Sequence, residues 1–398
     1  MNERMNHDLM NVDRNILVLT NDAGLGHRRA AQAAVEALEQ RYSGSLCPIL
    51  VNPLEEPGAP DSLRAIQSDF SRVVRRAPAL YSLGHSISNS RLPTLFMERM
   101  EVRLLTETIG RVLEQTCPLL VVTTHPTFVY LLVHYRRVHQ QQWPIAVLIT
   151  DLDRLQRLWF RREVDLYLVP TEEAAQLATR RGIQPERIQV TGIPVDLRLA
   201  TPTRTRSELR ARYGWDPALP AILAVGGRRV HDFMGVLLAI NEARLPIQLV
   251  VITGDDEEMP AQVQAIDWHM PVHLHGYVDD FPERLLAADA IVTKAGGLTI
   301  AESLAAGLPL FIIQSIPMHE QGNAAYVTAG GAAVRAATPE ALADAVRGSL
   351  ANDRRLLTAM AENARRLGRP CAAYDVADQL WGLVAQAEAG AHLLVEGR

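Results

Sequence analysis

Among the 40 Lys and Arg residues of this 398-residue chain only one is a lysine, Lys294, in the segment VTKAGGLT. A compact ammonium retained among guanidiniums suits a point contact, such as one phosphate oxygen, where an arginine fork would not fit. Its neighbours agree with that use. Thr293-Lys294-Ala295-Gly296-Gly297-Leu298-Thr299 ends an apolar run, passes through two glycines and opens a helical pattern. Such a turn binds anions through its amides and the positive end of the helix dipole. Glu302, three residues past Thr299, either completes a capping box or offers a bidentate grip to vicinal hydroxyls. Gly226-Gly227, after the apolar run 221–225, is a second and weaker candidate for a phosphate turn.

The other chemistry-bearing stretch lies near the start, where Asn21-Asp22-Ala23-Gly24-Leu25-Gly26-His27 opens another helical pattern. Arg29 stands where a dinucleotide fingerprint has its third glycine, and the Gly-Lys-Ser/Thr of a Walker loop is missing. The turn presents His27 at a helix N-terminus, whose partial positive charge disfavours imidazolium and keeps the ring a neutral base. Asp22 is placed to orient it. The alternative is that His27 only caps its helix. Beyond the apolar run 310–313, Glu320, Gln321 and Asn323 offer the donors and acceptors that sugar hydroxyls need, or form an ordinary polar loop. Asp151-Leu152-Asp153 spells D-x-D, a motif too short to assign a metal, and none is assigned.

These segments need elements to carry them. Apolar, β-branched runs at 16–20, 119–123, 145–150, 166–170 and 188–191 alternate with helical patterns. The series restarts at 221–225, 248–253, 272–275, 290–293 and 310–313. Such alternation marks parallel βαβ units. The expected fold class is α/β, with two Rossmann-like, doubly wound domains facing each other across a cleft. The expected boundaries are a first domain at 1–197, a Pro-, Thr- and Arg-rich linker at 198–219 and a second domain at 220–370. An amphipathic helix at 371–398 is expected to return to the first domain. Ligands of open α/β sheets sit beyond the carboxyl ends of the strands, where the candidate residues fall.

Composition narrows the function classes. With 48% hydrophobic and 21% charged residues there is material for a core in each domain. A net charge of -5 argues against nucleic acid as a partner. No apolar run reaches the ~18–20 residues of a membrane span, and residues 1–15 carry no signal-peptide core. Cys47, Cys117 and Cys371 show no ligand or disulfide spacing, so a cytoplasmic location is expected. Segment 62–103 interleaves seven arginines and three acids with Phe70, Tyr81, Leu95, Phe96 and Met97. It reads either as an interfacial segment on an anionic membrane surface or as a helical subdomain with a solvated basic face.

DAGLGHRRAAQA near the start and VTKAGGLTIAESLAAGLPLFIIQSIPMHEQGNAAYV in the second half carry a resemblance. They are similar to two motifs of the bacterial diacylglycerol glycosyltransferases and plant monogalactosyldiacylglycerol synthases. The second motif is shared more loosely with the enzyme that adds N-acetylglucosamine in peptidoglycan synthesis. THP at 124–126, TDLDRLQRLWF at 150–160, VTGIPVD at 190–196 and GYVDDFPERLLAADAIVTK at 276–294 match as well, so the resemblance is nearly chain-long.

The resemblance implies a GT-B fold, with the acceptor in the first domain and a UDP-sugar, UDP-glucose or UDP-galactose, mainly in the second. It implies inversion at the anomeric carbon without metal or cofactor. His27 would be the general base on the acceptor hydroxyl, with Asp22 nearby, and His125 and Asp151 would line the acceptor side. Gly226, Gly227, Lys294, Gly296, Gly297 and Thr299 would serve the diphosphate, and Glu302 the uridine ribose. Tyr277 and Val278 would meet the base, and Glu320, Gln321 and Asn323 the sugar. The implied acceptor is 1,2-diacylglycerol, met by a peripheral protein on the inner face of the cell membrane. Two departures stand out: Ala295 occupies a usual proline position, and Gly226-Gly227 leads into Arg228-Arg229-Val230-His231 instead of small residues. A UDP-sugar 2-epimerase of the same fold and a non-catalytic nucleotide-sugar-binding partner protein are the rival readings.

Overall fold

The computed structural model describes residues 14–22, 26–61, 63–64, 91–153, 155–227, 230, 232–313 and 319–396, with the backbone alone at 91–93, 319 and 390–396. Most of the expected membrane-facing segment, 62 and 65–90, lies outside the described residues. So do 23–25, 228, 229, 231 and 314–318 of the expected site loops.

The described strands form two six-stranded sheets, parallel throughout. The first holds β1 (Asn15–Leu19), β2 (Cys47–Val51), β3 (Leu120–Thr123), β4 (Ile145–Leu148), β5 (Leu166–Val169) and β6 (Ile188–Val190). Their spatial order is β2-β1-β3-β4-β5-β6. The second holds β7 (Ala221–Val225), β8 (Gln248–Ile252), β9 (Val272–His275), β10 (Ala290–Thr293), β11 (Leu310–Ile312) and β12 (Ala333–Arg335), in the order β12-β11-β10-β7-β8-β9. Each order reverses once, between β1 and β3 and between β7 and β10. Those reversals open the crevices in which doubly wound sheets take ligands.

Inner strands are continuous apolar runs because both of their faces are covered. Leu17 and Leu19 enter one apolar layer while Ile16 and Val18 enter the opposite one, as the two-residue period requires. Two strands were not anticipated, β2 and β12. Both are edge strands, only partly buried; β2 has a proline inside its short apolar run, and β12 is three residues long and ends in Arg335. Pro48 is tolerated in β2 because an edge strand needs bonding partners on one side only.

Segment 198–219, expected as a linker, is itself folded. Its helix Arg206–Tyr213 begins at a capping box of Thr205 and Glu208 and ends at Gly214 in the left-handed region. Leu209 and Trp215 enter the second domain's core, and Arg210 reaches Asp289 at 2.5 Å. The final helix, Ala372–Glu396, lies on the first sheet. There Ala373, Val376, Ala377, Leu380 and Val384 are buried with Ile16, Val18, Ala34 and Leu38. A fully buried Val or Leu of this kind contributes about 1.5–3 kcal/mol. Tyr42 seals the edge, stacking on Trp381 at 5.0 Å and donating to Asp378 at 2.7 Å.

Helix Arg91–Thr116 packs its far half on the first sheet. Glu98 is buried and ion-paired with Arg161, whose guanidinium sits 5.1 Å from the centre of the Tyr130 ring. Nearly a turn later, Glu101 Oε2 is buried without a hydrogen-bond partner, and burial pushes the carboxyl up to about 8. The folded state thus holds a proton that the unfolded chain releases near pH 4.3, so stability falls as pH rises from there to about 8. Glu101→Gln is expected to leave the thermal midpoint unchanged at about pH 4 and to raise it at about pH 9. Absence of a gain at the higher pH would contradict a carboxyl kept neutral by burial.

Candidate active site

His27 is the second residue of helix Gly26–Tyr42, which starts in the loop after β1. Its Nδ1 lies 2.7 Å from Oγ1 of Thr150, which follows β4. The ring meets His125, from the loop after β3, edge-on at 4.7 Å, and lies 6.4 Å from the buried Trp159 indole. Asp22, expected to orient His27, accepts from Arg28 at 2.5 Å and from Asn52 at 3.1 Å. Asp22 also accepts from the protonated carboxyl of Glu55, and this bond is the main reason that Glu55 is raised above the ordinary carboxyl range. Thr150 was not anticipated as the Nδ1 partner, although it stands at the head of the TDLDRLQRLWF segment.

Across the crevice, helix Gly297–Ala305 has Gly296 as its N-cap and no side-chain cap. Its first-turn amides are therefore not claimed by a cap. The expected capping box of Thr299 and Glu302 is not formed, because the helix starts earlier and Thr299 sits in its first turn. Lys294 forms an ion pair with Glu320. Gly297 has no room for a side chain: a Cβ there would stand 2.5 Å from the Thr150 carbonyl oxygen. Asn323, 1% exposed, accepts from the Leu152 amide at 2.9 Å and donates to the Ala295 carbonyl at 3.2 Å. One side chain thus joins the loop after β4 to the loop after β10. The apolar layer of the second domain also runs across, taking in Ala30 and Leu152.

Asp151 is enclosed at this junction. Burial raises its carboxyl above the ordinary range, opposed by His27, by the hydrogen bond from Asn323 and by Lys294, while Glu320 adds to the rise. A second cluster surrounds Glu302, which is 4% exposed. Burial pushes Glu302 up to about 7, with Arg29 and Arg198 pulling down and Asp196 pushing up. Arg29, two residues after His27, donates to the Tyr277 hydroxyl at 3.0 Å, its guanidinium 5.7 Å from the ring centre. Arg198 clasps Asp196 at 2.7 and 2.9 Å and donates to the Asp279 carbonyl at 3.0 Å. Arg29, Asp196 and Arg198 also escaped the sequence reading; only the VTGIPVD segment pointed to Asp196.

The structure thus brings His27, His125, Asp151, Lys294, Gly297, Glu320 and Asn323 to one junction. Gln321 is half-buried on the first turn of helix His319–Ala329, and Val278 packs partly buried against the second core. Gly226 and Gly227 follow β7, which lies beside β10 in the sheet, with Gly227 at φ 126°. His27 stands on one domain, and Lys294 with the uncapped start of helix Gly297–Ala305 on the other. Asn323→Ala strands the Leu152 amide and the Ala295 carbonyl in a buried junction and is expected to cost about 1–3 kcal/mol in denaturant unfolding. Unchanged stability would mean that the two loops are not held together there.

Residues 27–195 match the Monogalactosyldiacylglycerol (MGDG) synthase family, and residues 231–379 match the Glycosyltransferase family 28 C-terminal domain. The monogalactosyldiacylglycerol synthase of Spinacia oleracea is 28% identical over 386 residues, spanning 94% of this chain and 73% of its own. MurG of Acinetobacter baumannii superposes with a TM-score of 0.59 at 17% identity, over 93% of this chain and 99% of its own. UDP-GlcNAc 2-epimerase of Neisseria meningitidis, solved with UDP-GlcNAc bound, also gives 0.59, at 13% identity over 92% and 100% of the two chains. Those structures speak for the fold alone, and a shared fold does not choose the activity. The family matches do choose. With one on each domain, the chain is a glycosyltransferase of GT-B fold that resembles the monogalactosyldiacylglycerol synthases along nearly its whole length.

Proposed function

We propose that the chain is an inverting hexosyltransferase, moving the sugar of UDP-glucose or UDP-galactose to 1,2-diacylglycerol on the cytoplasmic face of a membrane. Neither metal nor cofactor has a part in the proposed step. The observation that carries this reading is His27, on a domain similar to the plant synthases, set across the crevice from Lys294 and the uncapped helix at Gly297. A glycerol hydroxyl is a poor nucleophile at neutral pH, and a departing diphosphate needs its negative charge stabilised. The acceptor O–H gives its proton to His27 as its oxygen bonds to the anomeric carbon. The carbon–oxygen bond to the β-phosphate breaks from the opposite face, and its electron pair leaves on UDP. Lys294 and the amides following Gly296 then meet that charge, with Glu320 yielding part of its hold on Lys294.

The same geometry supports the remaining assignments. Glu302 is set to accept from the uridine ribose, with Tyr277 and Val278 toward the base. Glu320, Gln321 and Asn323 serve the sugar, and His125 and Asp151 the acceptor side. Docking on a lipid surface is supported by helix Arg91–Thr116, which exposes Phe96 at 66%, with Leu95, Met97 and Met100 beside it. Exposed apolar residues next to Arg99 and Arg103 suit an anionic interface. Transfer of label from a panel of UDP-sugars onto total lipid tests the whole reading. A labelled glycolipid supports it, and interconversion of UDP-GlcNAc with no lipid product would favour an epimerase.

His27→Ala is expected to lower turnover roughly 10²–10⁴-fold while UDP-glucose binding stays nearly intact, as read by initial rates and calorimetry. A variant with near wild-type rates and an unchanged pH profile would leave His27 as a helix cap only. Glu302 supplies a pH test, because only its ionised form accepts from both ribose hydroxyls. With the carboxyl raised to about 7, UDP-glucose affinity is expected to strengthen severalfold from about pH 6 to 8. Glu302→Gln should bind more weakly and lose that slope; an identical slope in the variant would remove Glu302 from the ribose.

A further inference from the structure

We infer that Thr150 is a positioning residue for the base: its hydroxyl accepts a hydrogen bond from Nδ1–H of His27, so that Nε2 is the unprotonated nitrogen that takes the acceptor's proton. This rests on the reading of His27 as the base. The two atoms are 2.7 Å apart, and Thr150 is buried. Its backbone is anchored on the far side. The Thr150 carbonyl seats against Gly297, and the next two residues, Asp151 and Leu152, are held among Lys294, Glu320 and Asn323. The hydroxyl is therefore a fixed point that belongs to the first domain and is braced by the second. The ring cannot rotate without losing this bond, and the loop cannot shift without leaving Gly297 and Asn323.

The choice of a hydroxyl partner has chemical consequences. A carboxylate on Nδ1 stabilises imidazolium by a full charge, whereas a hydroxyl accepts the same proton with a dipole alone. It selects the tautomer while leaving most of the ring's basicity to its surroundings. Those surroundings are His125 and Trp159 from neighbouring loops, Asp151 beside Thr150, and Lys294 and Glu320 beyond Asp151. On its own segment stand Asp22 and Arg28, paired with each other. The opposite orientation, with Thr150 donating to Nδ1, would put a proton on Nε2 and disable the base. The two orientations make opposite predictions for the pH profile.

The test compares kcat, donor KM and pH–rate profiles of Thr150→Val, Thr150→Ala and Thr150→Ser with those of the wild type and His27→Ala. Loss of the hydroxyl is expected to lower kcat about 10–100-fold with donor KM within about twofold. It should also move the acid limb to lower pH, since imidazolium loses an acceptor while the neutral ring keeps its basic nitrogen. Thr150→Ser should restore both. The alanine variant keeps the test intact if the valine form folds poorly. Wild-type kcat in Thr150→Val and Thr150→Ala, or an acid limb displaced upward, overturns the inference. If His27→Ala itself retains activity, the reading of the base has failed instead; an inactive His27→Ala beside fully active Thr150 variants sinks the Thr150 role alone.

Discussion

The chemistry of this molecule depends on one close approach, that of the Thr150 carbonyl to Gly297. The carboxyl ends of two parallel sheets meet there, and only a residue without a Cβ lets the loop after β4 rest on the first turn of helix Gly297–Ala305. Asn323 completes the joint by bonding to Leu152 on one side and Ala295 on the other. The distance between the His27 ring on the first domain and the uncapped helix turn on the second is thereby set by backbone packing. Reacting groups drawn from two domains need such a constraint, because misplacement of about 1 Å can cost 10²-fold in rate.

Charge is distributed in keeping with that joint. Two carboxyls stand at the meeting of the domains, Glu302 buried and Asp151 half-buried, and desolvation lifts both above their ordinary range. Each is opposed by a cation from the opposite domain: Lys294 for Asp151, and Arg29 for Glu302. Lys294 is also paired with Glu320, so under the proposed reaction the diphosphate would compete for an ammonium that already has a partner. A net charge of -5 is thus compatible with a locally cationic turn, because the relevant positive groups are few and placed by loops.

Much of this was legible in the residues. Both sheets were expected because their inner strands are unbroken apolar runs; β2 escaped because Pro48 interrupts its reading as a strand, and β12 because three residues ending in Arg335 make no run. The lone lysine and the glycine pair after β10 marked the turn that meets the first domain, and His27 the ring that lies near it. Thr150 could not be singled out, because a threonine at a strand end is common and its partner lies 123 positions away in sequence. Arg29 was noticed only as a missing glycine. Its bond to Tyr277 exists because the two domains meet, and no local pattern encodes that. The supposed capping box failed for a local reason, since glycine at position 296 already serves as the N-cap.

The proposed single displacement entails a change of configuration at the sugar. Proton NMR of the glycolipid formed from an α-linked UDP-hexose and diacylglycerol reads that configuration directly from the anomeric coupling. A β-linked monohexosyl diacylglycerol is the expected product; an α-linkage, or a hexose that never reaches lipid, contradicts a one-step transfer with His27 as the base.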